Sequence, residues 1–475
     1  MIRLTLAEVA LAVSGKFIDE SHARGATAQI VVSGSVETDS RLVSAGALFF
    51  AKPGEVTDGH NFVAAAQDSG AVAAVVEREV FGITIPQILV PNVVVALGQL
   101  AQHVLAQVRR GGQLKVIGIT GSNGKTTTKN MLRAILSEVG PTVAPIESYN
   151  NEVGAPISVL KIDTETRFLV AELGAGGLGS IAYLTKIIRP DVAVELKVGM
   201  AHAGEFGGIE TTAVIKAELL KESPSDSIAV LNADDTYVRQ MAIDVPGKAV
   251  WFGTQPGCNY WASDYELGMD GTSFDLHWPA ESGTDRVKLQ ILGEHHVMNA
   301  LASAAVADQL GAPRSLIVQA LESLPLAEKW RMEVTNRADG VSIINDAYNA
   351  SPDSTKAALQ TLAQLGRLTS RRTVAILGEM AELGEFARTE HDSIGRTAVR
   401  LNIGLVIAIG EKAKLIYMGA SLEGSYDGES QYIESLDGAL PVVREMLRAG
   451  DIVLVKSSKS ANLRHLGDDL LEVNA

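Results

Sequence analysis

Short apolar runs and amphipathic segments alternate along most of the chain. In the middle third, residues 168–171, 192–194 and 228–231 are apolar throughout, and polar residues follow within a few positions. Runs of this length predict buried strands, and their alternation with helical patterns is typical of a largely parallel sheet covered by helices. Ligands of such sheets lie beyond the carboxyl ends of the strands. The pattern therefore predicts an α/β fold with a binding site at those strand ends.

The same pattern divides the chain into three blocks, which we predict to be three domains, because 475 residues are too many for one core. The N-terminal block, residues 1–110, has short strands and a helix near 94–109, and the Arg and Gly pairs of 109–112 mark its end. The central block, residues 111–326, carries the parallel pattern and an antiparallel insertion near 258–292 with a turn at Gly271. The C-terminal block, residues 327–475, repeats the pattern with strands at 341–344, 373–377, 405–408 and 452–455, which predicts a smaller Rossmann-like sheet.

The most informative stretch is residues 118–128, which read GITGSNGKTTT. A strand, a glycine-rich turn, a lysine and a hydroxyl at a helix start form a cradle for nucleotide phosphates. Lys125 adds positive charge for the outer phosphates, and Thr126 places a hydroxyl on magnesium. The strict phosphate-loop motif would have glycine at position 119, where this chain has Ile119. Gly121 forms the turn instead. The stretch predicts ATP binding by Gly121, Ser122, Asn123, Gly124, Lys125, Thr126 and Thr127.

Composition and charge narrow the class of protein. The net charge of −15 and the absence of a long basic run argue against nucleic acid as a partner. The single cysteine, Cys258, excludes an internal disulfide framework. No signal pattern and no run of 18 apolar residues is present, so we expect a cytoplasmic protein without membrane insertion.

Three further residues are candidates for a metal site. Glu172 and His202 follow apolar strands of the central block, where the magnesium of bound ATP would lie. Each is weak evidence alone, because a single histidine is more often structural. Lys216 lies on a helical pattern fourteen residues past His202, and a solvated charge is the default for such a lysine.

Taken together, the motifs resemble the Mur ligase family, the ligases of bacterial peptidoglycan synthesis, over almost the whole chain. The motifs that carry the resemblance are Asp39-Ser40-Arg41, Asp58-Gly59-His60, the loop at 120–126, Asn150-Asn151-Glu152, Glu172-Leu173-Gly174-Ala175, Ala201-His202, Lys216-Ala217-Glu218, Asn232-Ala233-Asp234, Asn345-Asp346-Ala347-Tyr348-Asn349, 378–384 and Val455-Lys456-Ser457-Ser458.

The resemblance implies an N-terminal UDP-substrate domain, a central P-loop ATPase-like domain and a C-terminal Rossmann-like domain. It implies a cytoplasmic, monomeric enzyme that uses ATP and Mg²⁺ to phosphorylate the terminal carboxylate of UDP-N-acetylmuramoyl-tripeptide. The amine of D-alanyl-D-alanine then attacks the acyl phosphate. The sequence leaves open whether the third residue of the peptide is diaminopimelate or lysine.

The resemblance also implies roles for individual residues. Those implied to be catalytic are Lys125, His202, Lys216 and Arg331. Thr126 is implied to hold a first magnesium ion, and Glu172 and His202 are implied to hold a second. Those implied to bind the nucleotide, beyond the loop, are Asn299 by the adenine, Asp346 near the ribose and Asn349. Those implied to bind substrate are Ser40, Arg41 and Asn151. Lys216 would carry a carbamate as a metal ligand, and the alternative is a surface lysine paired with Glu218 or Glu222.

Three other functions remain open at this point. The ligase that adds the third amino acid shares the loop, but it resembles a Gly-Gly-Asp-Arg-Asp run where this chain has 378–382. Folylpolyglutamate synthase lacks an N-terminal UDP domain, whereas about 110 residues precede the loop here. A P-loop regulatory protein would bind nucleotide without ligation, and turnover without a protein partner would distinguish it.

Overall fold

The structure is a computed structural model of the chain, and it describes residues 1–19, 25–54, 57–145, 149–245, 247–279, 283–324, 329–425 and 429–472. Among these residues, the chain forms three larger sheets and one two-stranded ribbon. The α/β fold class is confirmed, with one larger sheet in each block. The predicted boundary between residues 326 and 327 lies outside the described residues, and the exact division into domains remains a prediction.

The N-terminal block contains a small sheet with the strand order β2-β7-β6-β5-β4, parallel except for β2, and β1 pairs with β3 beside it. Its elements are β1 (Leu4–Thr5), α1 (Leu6–Ala12), β2 (Lys16–Phe17), β3 (Val31–Val32), β4 (Val36–Glu37), β5 (Leu48–Phe50), α2 (Val63–Asp68), β6 (Ala73–Val76), β7 (Gln87–Leu89) and α3 (Val93–Arg109). The helix predicted near 94–109 is thus confirmed as α3.

The central block contains the largest sheet, with the order β16-β15-β14-β13-β12-β11-β8-β10-β9. Its strands are β8 (Lys115–Thr120), β9 (Thr142–Val143), β10 (Phe168–Glu172), β11 (Val192–Glu195), β12 (Ile228–Asn232), β13 (Lys248–Gly253), β14 (Tyr260–Gly268), β15 (Gly271–His277) and β16 (Thr284–Leu289). Its helices are α4 (Lys125–Ser137), α5 (Gly154–Val159), α6 (Ser180–Ile188), α7 (Ala203–Phe206), α8 (Ile209–Glu222), α9 (Thr236–Met241), α10 (Glu294–Gln309) and α11 (Arg314–Ser323).

The predicted antiparallel insertion corresponds to β14, β15 and β16, which pair antiparallel with one another. It is not a separate layer, because β14 also pairs in parallel with β13 and so extends the main sheet. The turn between β14 and β15 ends at Gly271, which has a φ of +139°. A β carbon there would lie 1.9 Å from the carbonyl oxygen of Leu289, so only glycine fits this turn.

The C-terminal block contains a sheet with the order β17-β18-β22-β19-β20-β21, parallel except for β17. Its elements are β17 (Glu333–Asn336), β18 (Ser342–Asn345), α12 (Pro352–Thr369), β19 (Thr373–Leu377), α13 (Ala387–Arg400), β20 (Leu405–Ile409), α14 (Lys414–Glu423), β21 (Ser430–Ile433), α15 (Ala439–Met446), β22 (Ile452–Lys456) and α16 (Leu463–Asp469). The four strands predicted in this block are confirmed as β18, β19, β20 and β22.

The apolar cores of neighbouring blocks are continuous. One cluster joins α4 and α10 of the central block to α12 of the C-terminal block, and a second joins the N-terminal sheet and α3 to the other face of the central sheet. Buried apolar area of this kind is the main favourable term in packing. The segments that follow β8 and β11 face the C-terminal block, since Asn123 accepts from Ser351 Oγ at 3.1 Å and the Met200 N–H donates to Asp353 Oδ2 at 2.9 Å. In the described part of the chain, no helix is both long enough and apolar enough to cross a membrane.

Candidate active site

The predicted phosphate loop lies between β8 and α4. Gly121 and Gly124 have φ values of +151° and +89°, which favour glycine. A β carbon on Gly124 would lie 2.3 Å from Oδ1 of Asn299, so the loop and α10 touch through a glycine. The Ser122 N–H donates to the Lys197 carbonyl at 2.7 Å, which ties the loop to the segment after β11. The loop is thus held open by contacts on both sides.

Lys125 is the first residue of α4, and its Nζ lies over the loop. The ammonium donates to the carbonyl of Gly121 at 2.7 Å. Burial lowers the pKa of Lys125, and the nearby carboxylate of Glu172 raises it in part. A half-buried cation at the first turn of the helix adds to the positive end of the helix dipole. The arrangement suits an anion with several negative oxygens.

Glu172 ends β10, whose register places it opposite Ile119 of β8. Its carboxylate is buried and accepts two hydrogen bonds, from Thr126 Oγ1 at 3.2 Å and from Asn150 Nδ2 at 2.9 Å. Thr126 and Glu172 therefore present hard oxygen atoms side by side at the loop, as a magnesium site requires. Asn150 had no predicted role, although it belongs to a motif recognised in the sequence.

The C-terminal block contributes Arg331 to the same place. Its Nη2 donates to Thr126 Oγ1 at 3.5 Å, and its guanidinium lies 4.2 Å from the ring centre of Tyr348. Stacking of this kind holds a guanidinium by cation–π attraction. The structure thus brings Arg331 to the phosphate loop from more than 200 residues along the chain.

A cavity of about 970 Å³ lies between the central and C-terminal blocks. The predicted site residues that line it are Ser122, Asn123, Gly124, Lys125, Thr126, Thr127, Glu172, His202, Asn299, Arg331, Asp346 and Asn349. Five predicted residues are not in its lining, namely Gly121, which turns the loop behind it, and Ser40, Arg41, Asn151 and Lys216. The ligand roles of all these residues remain predictions.

Asp346 is held by a lysine that received no predicted role. Lys456 is buried and donates to Asp346 Oδ2 at 2.5 Å and to the carbonyl of Asn349 at 3.1 Å. The other oxygen of Asp346 accepts the N–H of Met332 at 3.1 Å. The ion pair places a fixed carboxylate at the cavity wall. Lys456 follows directly on the predicted strand at 452–455, and a polar residue at the carboxyl end of a parallel strand is a candidate for the binding site.

His202 lies in a turn with a φ of +61°, just before α7. Its Nδ1 lies 2.6 Å from a carboxylate oxygen of Glu382 in the C-terminal block and 3.6 Å from one of Glu205. The hydrogen bond from His202 lowers the pKa of Glu382. One side-chain nitrogen or oxygen of each of these three residues lies within 4.8 Å of the others, and both carboxylates are exposed. The contacts of His202 are therefore with these carboxylates, while Glu172 bonds to Thr126 and Asn150.

Lys216 is buried in α8, with 3% of its surface exposed. Burial lowers its pKa to about 7, assisted by repulsion from Lys125 and opposed by Glu195. Glu195 is buried too, and burial raises the pKa of its carboxyl group well above the usual range. Both Glu195 oxygens lack a hydrogen-bond partner among the described residues.

The alternative of a surface lysine is wrong, because the side chain faces the interior. The two carboxylates proposed as its partners are engaged elsewhere. Glu218 accepts the N–H groups of Gly179 and Ala182 at 2.6 and 2.9 Å, at the start of α6. Glu222 lies 3.3 Å from Nζ of Lys186.

The remaining predicted substrate residues lie in local turns. Arg41 is 86% exposed and forms a two-point ion pair with Asp39, while Asp39 also accepts the Arg41 N–H at 3.0 Å. Ser40 begins the short helical turn that Asp39 caps. Asn151 accepts the N–H groups of Val153 and Gly154, which fixes the start of α5. These turn contacts leave the exposed Arg41 guanidinium accessible to a ligand.

The fold and the site together define a P-loop nucleotide-binding α/β protein. Family models match three consecutive stretches: the Mur ligase family catalytic domain at 34–104, the Mur ligase middle domain at 119–307 and the Mur ligase glutamate ligase domain at 330–459. The UDP-N-acetylmuramoyl-tripeptide–D-alanyl-D-alanine ligase of Mycobacterium bovis is 40% identical over 99% of this chain and 98% of its own. The chain belongs to the Mur ligase family.

Solved structures agree with this assignment. A crystal structure of MurF from Acinetobacter baumannii matches with a TM-score of 0.89 and 32% identity, covering 99% of both chains. The MurF ligase of Thermotoga maritima in complex with ADP matches with a TM-score of 0.79 and 27% identity, covering 93% of this chain and 97% of that one. The three-domain fold expected from the sequence is thereby confirmed.

Proposed function

We propose that this protein is an ATP-dependent, ADP-forming ligase that joins D-alanyl-D-alanine to UDP-N-acetylmuramoyl-tripeptide. The observation that carries the proposal is the full-length relationship to ligases with this activity, at 40% identity. The cavity supports it, since Lys125, Glu172 and Arg331 converge there from two blocks. A ligase needs such convergence, because it must bring a nucleotide and an acceptor together away from water.

The chemistry follows from the poor reactivity of a carboxylate towards amines. The terminal carboxylate oxygen of the tripeptide attacks the γ-phosphorus of ATP, the bond to the β–γ bridging oxygen breaks, and ADP leaves. The amine of D-alanyl-D-alanine attacks the carbonyl carbon of the acyl phosphate. The tetrahedral intermediate loses phosphate, and the amine loses a proton, which gives the amide. The protein contributes positioning and charge neutralisation to these steps.

The residues of the loop fit ATP with Mg²⁺. Lys125 faces the phosphates as a fixed cation, and Arg331 faces them from the C-terminal block. Thr126 would hold the first magnesium ion through its hydroxyl oxygen. Glu172 and His202 would hold the second, to which the carboxylate of Glu172 supplies a hard oxygen ligand. Bound magnesium neutralises charge on the transferred phosphoryl group.

The base and sugar of ATP belong on the other side of the loop. Asn299 touches Gly124 and lines the cavity, which suits a contact with adenine. Asp346, fixed by Lys456, suits the ribose hydroxyl groups as an acceptor, with Asn349 beside it. A carboxylate that is already oriented loses little freedom on binding.

The uridine diphosphate of the second substrate is assigned to the N-terminal block. Ser40 and the exposed guanidinium of Arg41 would bind its phosphates, and Asn151 of the central block would bind the peptide part of this substrate. The three domains would be residues 1–110, 111–326 and 327–475. We place the reaction in the cytoplasm, where ATP is present, and we propose a monomer.

Lys216 completes the proposal as the bearer of a carbamate. Burial lowers the pKa of Lys216, so part of its amine is uncharged, and carbon dioxide reacts only with an uncharged amine. The carbamate that forms is negatively charged and resembles a carboxylate, so it would attract Mg²⁺, whereas the ammonium would repel it. The carbamate would serve as a ligand of the second magnesium ion.

Phosphate release from ATP tests the function directly. UDP-N-acetylmuramoyl-tripeptide, D-alanyl-D-alanine and MgATP are supplied together, and each is then omitted in turn, with the amide product followed by mass spectrometry. We expect stoichiometric phosphate and product only when all three are present. Equal phosphate release without either peptide substrate would contradict the proposal.

A further inference from the structure

The side chain of Glu382 crosses from the C-terminal block to the turn that carries His202. Its carboxylate lies 2.6 Å from His202 Nδ1, and its own carbonyl accepts the N–H of Gly204 at 3.2 Å. Glu382 has a φ of +64°, so the chain turns sharply at this residue. One residue thus holds both the ring and the backbone of the opposite turn.

The two turns are in backbone contact as well. A β carbon on Gly204 would lie 2.2 Å from the nitrogen of Gly384, so the close approach depends on glycine. On its own side, the loop is anchored within the C-terminal block. The N–H of Ala381 donates to Ser458 Oγ at 2.8 Å, and the N–H of Met380 donates to Nε2 of His391 at 2.9 Å. The position of Glu382 therefore follows the position of the whole block.

The contact with Glu382 also selects the form of the imidazole. A carboxylate can only accept a hydrogen bond, so this contact favours the tautomer that carries its proton on Nδ1 over the one that carries it on Nε2. Carboxylates commonly hold metal-binding histidines in this way. Glu205 lies at 3.6 Å from the same nitrogen, beyond hydrogen-bonding distance, and belongs to the central block itself.

We propose that Glu382 is a positioning residue for His202, and that the C-terminal block sets this ring for metal binding only when it is docked on the central block. The proposal rests on the proposed function, in which His202 binds magnesium. It makes the metal site depend on domain position, because the residue that orients the ligand comes from the other side of the cleft.

The experiment compares the full-length parent with Glu382→Ala, Glu382→Gln and Glu205→Gln. Mn²⁺ is titrated by electron paramagnetic resonance in the presence of the β,γ-imido analogue of ATP and UDP-N-acetylmuramoyl-tripeptide. The Mg²⁺ concentration for half-maximal turnover is measured in parallel. We expect Glu382→Ala to weaken one of two Mn²⁺ binding events about tenfold. Glu382→Gln should lose less, since its amide oxygen still accepts from Nδ1, and the Glu205→Gln control should match the parent.

Two results would overturn the proposal. One is parental Mn²⁺ binding by both Glu382 variants. The other is an equal loss of Mn²⁺ affinity in Glu205→Gln, which would mean that a residue of the central block, and not of the C-terminal block, positions the His202 ring. Because Glu382 is half exposed, its variants should fold, and the melting temperature checks this. A parent that binds two Mn²⁺ but forms no product contradicts only the proposed function, since the comparison of Mn²⁺ affinities still stands.

Discussion

Replacement of Lys125 tests the central assignment of the site. Lys125→Met removes the charge and keeps most of the apolar stem, and Lys125→Ala removes both. In the structure the ammonium makes one hydrogen bond, to the carbonyl of Gly121, so the variants lose one contact within the protein. A hydrogen bond from a charged donor contributes about 2 kcal/mol to folding stability. A folded protein is therefore expected from both variants.

The loss in catalysis should be larger than the loss in stability. A charge-assisted hydrogen bond to phosphate that strengthens in the transition state contributes about 3 kcal/mol. Since about 1.4 kcal/mol corresponds to a tenfold change in rate, turnover should fall by at least about 150-fold. The effect should be similar in both variants, because charge rather than packing provides the interaction. Arg331 cannot replace Lys125, since its guanidinium is held against Tyr348.

The assay is phosphate release at saturating substrates, with folding checked by circular dichroism and the melting temperature. Lys186→Ala is the matched control, because Lys186 is an exposed lysine of the same block that pairs with Glu222. The control should keep parental turnover. Turnover of Lys125→Met within a few-fold of the parent would refute the assignment of the phosphate loop.

Three further predictions concern the nucleotide, the second substrate and Lys216. Gly124→Ala should weaken binding of an ATP analogue, measured by calorimetry, at least about tenfold, because the added β carbon meets Asn299 and the φ of this residue is +89°. The control Gly176→Ala should leave this binding unchanged, because there is room for a β carbon at that position. Arg41→Ala should raise the KM for UDP-N-acetylmuramoyl-tripeptide about tenfold and leave the KM for D-alanyl-D-alanine unchanged, and an equal rise in both would contradict the assignment. Because burial lowers the pKa of Lys216 to about 7, its amine is mostly free at pH 8 and mostly protonated at pH 6. A ¹³C carbamate signal from labelled carbon dioxide should therefore be strong at pH 8 and weak at pH 6, and Lys216→Ala should be inactive and partly rescued by formate; full activity of this variant would exclude the role.

Local patterns in the sequence predicted the elements that carry the site. The helical pattern after the phosphate loop predicts one apolar face formed by Met131, Leu132, Ile135, Leu136 and Val139. The first four are fully buried, and Val139, just past the end of α4, is partly buried. The strand ahead of Glu172 was predicted from its apolar run, and β10 ends at that residue. Such predictions succeed because the spacing of apolar residues that distinguishes a helix from a strand can be read within a short window of sequence. They also placed the phosphate loop between the correct strand and helix.

The default reading of Lys216 failed because charge is a poor guide to burial near a functional site. A lysine on a helical pattern is usually solvated, and its neighbours Glu218 and Glu222 offered partners in sequence. In the structure, the helix turns Lys216 towards β11, and it lies near Glu195 and Lys125. Strong desolvation of charged groups is frequent where catalysis is carried out, and no pattern of apolar residues reveals it.

The contacts between the blocks were the part of the site that the sequence predicted least. Lys456 and Glu382 lie in motifs recognised in the sequence, and Arg331 was implied by the family resemblance. None of this shows which atom of the central block each residue will meet. Arg331 meets Thr126 and Glu382 meets His202, each across at least 180 residues of chain. Such pairings depend on how two sheets face one another, and that is decided by the continuous apolar core between α4, α10 and α12. Substitutions in that core should therefore disturb metal and phosphate contacts together, whereas substitutions of single site residues should separate them.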